Sequence, residues 1–264
     1  MQMPQFQPQD YTCMIDKTPQ SSRALGRRIY LLKQGDQCYW LKSQEPEGHP
    51  QFVLSFNNEI QLYQQGILDG CGLPYQLFTK DSSEHMPNFL RLVHAAPALL
   101  EINGLSILHI KQKMHAILAA LVKLHQAGWL HGDLKPSHLR LYEHRVRLLD
   151  FEQAQNLALG ETALVMNATP RYMAPELFHL NAKTQQTDLY ALGIILYEWL
   201  TQQKIAIQRY EDWALYHCQQ ASFLLDESFS VFQDFINGLL ARHAKDRFLT
   251  SQQAIQYLNS ITVT

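Results

Sequence analysis

The chain has 264 residues, 46% hydrophobic and 17% charged, with a formal net charge of -2. That length accommodates one large domain or two small lobes around a sizeable core, and the composition excludes a disordered chain. Near-neutral charge without a dense Lys/Arg run excludes the electrostatic footprint of a nucleic-acid binder.

The start, MQMPQFQPQDY, is Gln/Pro-rich and lacks the apolar core of a signal peptide, so residues 1–19 are expected as a frayed polar extension. RRIYLLKQGDQCYWLK, ending at Lys42, predicts two strands around a Gln-Gly-Asp turn. SFNNEIQLYQQGILDG predicts a helix, capped at Ser55 or Asn57, with Ile60, Tyr63 and Ile67 at helical spacing. PYQLFTKDSS and NFLRLVHAA read as two further strands.

Beyond Pro97 the character changes. Ile107–Ala127 repeats apolar residues at Met114, Ile117, Leu118, Leu121, Val122 and Leu124, a long amphipathic helix closed by Gly128. Loop and short strand follow to Ala154. From Pro175 helical patterns dominate, as in TDLYALGIILYEWL and SQQAIQYLNSI. The expected class is α+β: a small strand-rich lobe at about 20–93, a hinge at about 93–97 and a larger helical lobe at about 98–264. A cleft between two such lobes is a natural ligand site. Cys13, Cys38, Cys71 and Cys218 are scattered without a C-x-x-C pair, which suits a reducing compartment. The longest apolar run, Leu189–Leu200, is shorter than the roughly 20 residues of a membrane span. A cytoplasmic location without a membrane span is expected.

The stretches HGDLKPSHLRL and LLDFEQA carry the chemistry. Phosphoryl transfer needs a cation on the phosphates, carboxylates for a metal ion and a carboxylate near the accepting hydroxyl. Asp133 sits in a Pro-containing loop after the long helix, and Lys135 follows it. Asp150 ends the strand VRLLD. Lys42 ends a strand, and Glu59 on the next helix is placed to orient it. Singly, each is more often a turn residue or a solvated charge than a catalytic group.

Together these stretches resemble the eukaryotic-type (Hanks-type) Ser/Thr protein kinase family over roughly residues 20–258. HGDLKP matches its H-R-D-L-K-P loop, LLDFEQA its D-F-G segment, and TPRYMAPE its T-P-x-Y-M-A-P-E segment. TDLYALGIILYEWLT and KDRFLTSQQAI match later family motifs, and YWLK stands where V-A-I-K would be. The resemblance implies a protein kinase-like fold and transfer of the γ-phosphate of ATP, with Mg²⁺, to protein hydroxyls. It implies Asp133, Lys135 and Thr169 as catalytic residues, and Asp150 and His138 at the metal. Lys42, Glu59, Gly26, Trp40 and Val93 fall at the nucleotide, and a protein is the substrate or partner. Glu176 pairs with Arg247, and Asp188 accepts N–H bonds from the catalytic loop. Tyr63, His131 and Phe151 belong to an apolar spine, and Thr162 and Thr169 lie in the activation segment.

Four departures stand out. His138 replaces the metal-binding Asn, which weakens that metal site or changes its metal, since Mg²⁺ prefers oxygen donors. SSRALG leaves only Gly26 of a Gly-rich loop. Trp40 replaces a small Ala against the adenine ring. H-G-D and D-F-E replace H-R-D and D-F-G. The first three motivate an alternative, a pseudokinase acting as a scaffold. The last motivates a small-molecule phosphotransferase of the aminoglycoside/choline type, although those enzymes lack the T-P-x-Y-M-A-P-E segment.

Overall fold

The computed structural model describes residues 3–80, 87–159 and 168–263, and within it Cys13–Asp16, expected in a frayed polar extension, form a strand of a sheet. β1 (Cys13–Asp16) pairs antiparallel with β2 (Arg27–Gln34), and a short helix, α1 (Gln20–Arg23), lies between them in sequence. Upstream, Phe6 ties the segment before β1 to the same sheet. It packs with Leu32, Leu41 and Phe78, a burial worth about 1.5–3 kcal/mol.

The chain divides into two compact units, Met1–Ala96 and Pro97–Thr264. In the first, β2 turns through Gly35 and Asp36 into β3 (Gln37–Gln44), as the Gln-Gly-Asp signal predicts. With β4 (Tyr75–Phe78) and β5 (Phe89–Val93) they form a five-stranded sheet ordered β1-β2-β3-β5-β4. Its register assigns the faces. Tyr30, Leu32, Tyr39 and Leu41 share one face with Phe89 and Phe78, under Phe6. Ile29, Leu31, Trp40 and Lys42 share the other with Leu90 and Leu92. The helix α2 (Pro50–Gln64) starts before the expected Ser55 or Asn57 cap. His49 caps it by accepting a hydrogen bond from the Gln51 N–H at 3.3 Å, and Pro50 fits the first helical position, where no N–H is needed. A two-residue strand, β6 (Ala96–Pro97), spans the division between the units.

The second unit is helical. α3 (Ile107–Gln126) is capped by Ser106 and buries Ile110, Met114, Ile117, Leu118, Leu121 and Leu124 along one face. The loop that follows is bracketed by short strands: β7 (Trp129–Leu130), β8 (Leu139–Tyr142), β9 (Arg145–Leu148) and β10 (Gln155–Asn156). β8 and β9 join through Glu143 and His144, both at positive φ, as a two-residue hairpin turn requires. α4 (Gln185–Thr201) is buried almost all round; α5 (Tyr210–Leu215), α6 (Gln233–Leu240) and α7 (Ser251–Ser260) complete the unit. α4 packs on α6, and α3 on α7. Among the described residues no helix is long and apolar enough to cross a membrane.

Candidate active site

In the first unit, β3 and α2 bring Lys42 and Glu59 together: Lys42 Nζ lies 2.6 Å from Glu59 Oε2. Glu59 is fully buried, so the pair orients the ammonium inside the fold rather than at its surface. Trp40, two residues before Lys42, stands on the same face of β3 and stacks on His94, with ring centroids 5.7 Å apart. Val93 does not join them. It pairs with Tyr39, so its side chain stands on the opposite face. Gly26 sits at φ 87, and a Cβ there would meet Gln44 Nε2 at 2.8 Å and Gly48 Cα at 2.9 Å. Close packing against Gln44 and Gly48 therefore explains this glycine locally.

In the second unit the loop between β7 and β8 is wired to three other segments. Asp133 Oδ1 accepts from the Thr169 backbone N–H at 2.8 Å and from Thr169 Oγ1 at 2.9 Å. Asp133 Oδ2 lies 3.1 Å from Lys135 Nζ. Burial would push the Asp133 carboxyl up, yet the Lys135 ammonium and the Thr169 bonds hold it below the usual carboxylate range. It is a carboxylate at neutral pH. Thr162 lies outside the described residues.

Asp188, in the first turn of α4, anchors the same loop. Its Oδ2 accepts from the His131 N–H at 2.8 Å, and its Oδ1 from the Gly132 N–H at 2.9 Å. Burial opposes this charge, but the hydrogen bond with His125, whose Nε2 lies 3.0 Å from Oδ2, and the Gly132 N–H hold the carboxyl below its ordinary value. The helix N-terminus adds a favourable field. His131 stacks on Phe151, centroids 5.3 Å apart, and burial pushes its pKa down. Its ring is neutral: Nε2–H donates to the Leu149 carbonyl at 3.1 Å, and Nδ1 accepts from the Asp133 N–H at 3.4 Å. Glu176 and Arg247 form a bidentate pair at 2.7 and 2.8 Å.

Two features of this unit escape sequence patterns. Gly132 has φ 77, and a Cβ there would strike the Gln153 carbonyl oxygen and come within 3.1 Å of Lys183 Nζ. An arginine at this position has no room. The buried Lys183 ammonium, its pKa pushed down by desolvation against the charges of Asp188 and Asp133, places a cation beside the loop instead. His125, which bridges Asp188 and Ser251, likewise carries no motif.

Asp150 sits at φ 67, a left-handed conformation that Asp tolerates better than most residues. His138 Nε2 faces Asp150 Oδ2 at 3.4 Å. Burial pushes the His138 pKa down to about 3, so the ring is neutral. Asp150 is a suitable hard ligand for Mg²⁺, whereas the imidazole nitrogen beside it is not. The donor set thus fits the expected ion only in part.

The family model described as "Protein kinase domain" matches residues 85–258. The serine/threonine-protein kinase MPS1 of Encephalitozoon cuniculi is 27% identical over 192 residues, covering 70% of this chain and 32% of that protein. The calcium/calmodulin-dependent protein kinase type 1B of Rattus norvegicus is 32% identical over 152 residues, 54% of this chain and 43% of that protein. The probable serine/threonine-protein kinase pknA2 of Bifidobacterium longum is 29% identical over 119 residues, 42% of this chain and 16% of that protein. The chain spans less than half the length of each of these relatives. With more than half of its residues matched by the family model, and with the α+β architecture described above, the chain belongs to the Hanks-type protein kinase family.

Proposed function

We propose that the chain is an ATP-dependent protein serine/threonine kinase. The observation that carries this reading is the Asp133 carboxylate, fixed by both Thr169 donors and facing the Lys135 ammonium. An ionised carboxylate held this firmly is equipped to orient a substrate hydroxyl and take its proton as phosphate transfers, while Lys135 offsets the charge on the transferring group. Lys42, oriented by Glu59, would hold the nucleotide phosphates, and Asp150 would hold the divalent ion that neutralises them. Gly26, Trp40 and Val93 complete the proposed nucleotide-binding set, with Gly26 and Val93 acting through their backbone. The acceptor hydroxyl would belong to a protein, as the names of the relatives suggest.

Labelled ATP with a panel of Ser- and Thr-containing peptides tests this. Label is expected on serine or threonine with the wild type and absent with Lys42→Met. Equal labelling by both, or none by either, overturns the reading.

A second reading, a scaffold with little transfer, draws on Trp40, which stands on the Lys42 face and stacks on His94. A ligand at 100 times its Kd raises stability by about 2.7 kcal/mol. Absence of any thermal shift with nucleotide and a range of divalent ions would favour the scaffold.

A further inference from the structure

The hairpin of β8 and β9 carries three arginines on one face. Its register sets Arg140 directly opposite Arg147, with Arg145 two residues before Arg147 on the same side of the strand. Directly opposite Cβ atoms stand about 4.5–5.5 Å apart, and like charges at that spacing destabilise the pair. A counter-charge would relieve this, and the fold supplies none. Among the described residues no ion pair or hydrogen bond joins Arg140, Arg145 or Arg147 to another group. Arg147 Nε is buried with no hydrogen-bond partner. Arg140 is half-buried, and burial pushes its pKa down with no carboxylate opposing the shift. The helix α3 packs on β9, yet Ile107–Gln126 contains Lys and His and no Asp or Glu.

A guanidinium stays charged at any pH the protein meets, and its planar fork of N–H donors matches phosphate oxygens two at a time. Two residues along a strand span about 6.6–6.8 Å, so the patch measures roughly 5 by 7 Å, room for one or two phosphate groups. A duplex or an anionic membrane presents charge over a far wider area, and a chain of net charge -2 has no broad positive field to hold either. The buried Arg147 Nε is a donor suited to a small anion.

We propose that Arg140, Arg145 and Arg147 form a binding site for an anion carrying one or two phosphate groups. The site shares no residue with the phosphoryl-transfer machinery, and binding there needs no transfer, so it goes beyond the kinase reading.

Isothermal titration calorimetry with inorganic diphosphate, without divalent ions, tests it on the wild type, Lys42→Met, Arg140→Gln and Arg147→Gln. Wild type and Lys42→Met are expected to bind diphosphate equally. Each arginine variant is expected to bind at least about tenfold more weakly, the loss of one charge-assisted hydrogen bond. Without ligand, both arginine variants should melt no lower than wild type by circular dichroism, because one of two opposed cations is gone. No binding by wild type, equal binding by the arginine variants, loss of binding in Lys42→Met, or a lower melting temperature in both arginine variants would each overturn the proposal. Titrations with ATP and adenosine identify the source of the phosphate. ATP binding weakened in Arg147→Gln assigns a nucleotide's phosphates, and an effect confined to diphosphate assigns a free anion; either upholds the site. Adenosine binding that depends on Arg147 would overturn it, since adenosine carries no phosphate.

Discussion

At the scale of single residues, Gly132 converts a departure from the family motif into a structural requirement. Its φ of 77 and the Gln153 carbonyl leave no room for a side chain, so restoring the arginine of the family motif should damage the protein. A strained residue in this region costs about 1–3 kcal/mol before the clash is added. Gly132→Ala is therefore expected to lower the unfolding free energy by at least that amount in a urea titration; an unchanged midpoint would refute the steric account. The letters HGD identify the loop, but they cannot reveal why glycine is needed. The reason lies in Gln153 and Lys183, 21 and 51 positions along the sequence.

At the scale of elements, the Glu176–Arg247 pair ties TPRYMAPE to the segment before α7. The Arg247 side chain is fully buried and also donates to the carbonyls of Ala241, Arg242 and Gln186. Glu176→Ala leaves that guanidinium buried without its counter-charge, a loss of about 3–5 kcal/mol. Arg247→Lys should not rescue the pair, because an ammonium cannot reproduce the planar fork. Calorimetry showing a melting temperature within a degree of wild type for either variant would contradict this. Elements with strong periodicity, α3, α4 and α7, were legible. β1 was not, because Cys13–Asp16 is four residues long and exposed throughout, so it shows no apolar alternation. The start of α2 was missed because His49 caps it through a ring nitrogen, outside the usual Ser/Thr/Asp/Asn signals.

At the scale of the molecule, buried histidines set the response to acid. Burial pushes the pKa of His131 down, and that of His217 down to about 4. Both folded values lie below the roughly 6.5 of an unfolded histidine, so the unfolded chain binds more protons below that pH. Stability is complete above pH 6.5 and falls as pH drops towards the folded values. His217 alone should cost about 2 kcal/mol at pH 5, and denaturation midpoints measured from pH 7.5 to 5 should decline accordingly; a flat profile would contradict neutral burial. The family model begins only at residue 85, although the five-stranded sheet lies largely before it. A sheet keeps its form under any apolar alternation with the right period, so its sequence can drift further than a loop bound to Asp133 and Asp188.

The central claim is that Asp133 acts in phosphoryl transfer, and single-turnover transfer from ATP by wild type and Asp133→Ala tests it most directly. The account predicts a fall of about 10²–10⁴-fold in the variant, with the nucleotide-induced thermal shift retained. Equal rates in the two proteins would contradict it.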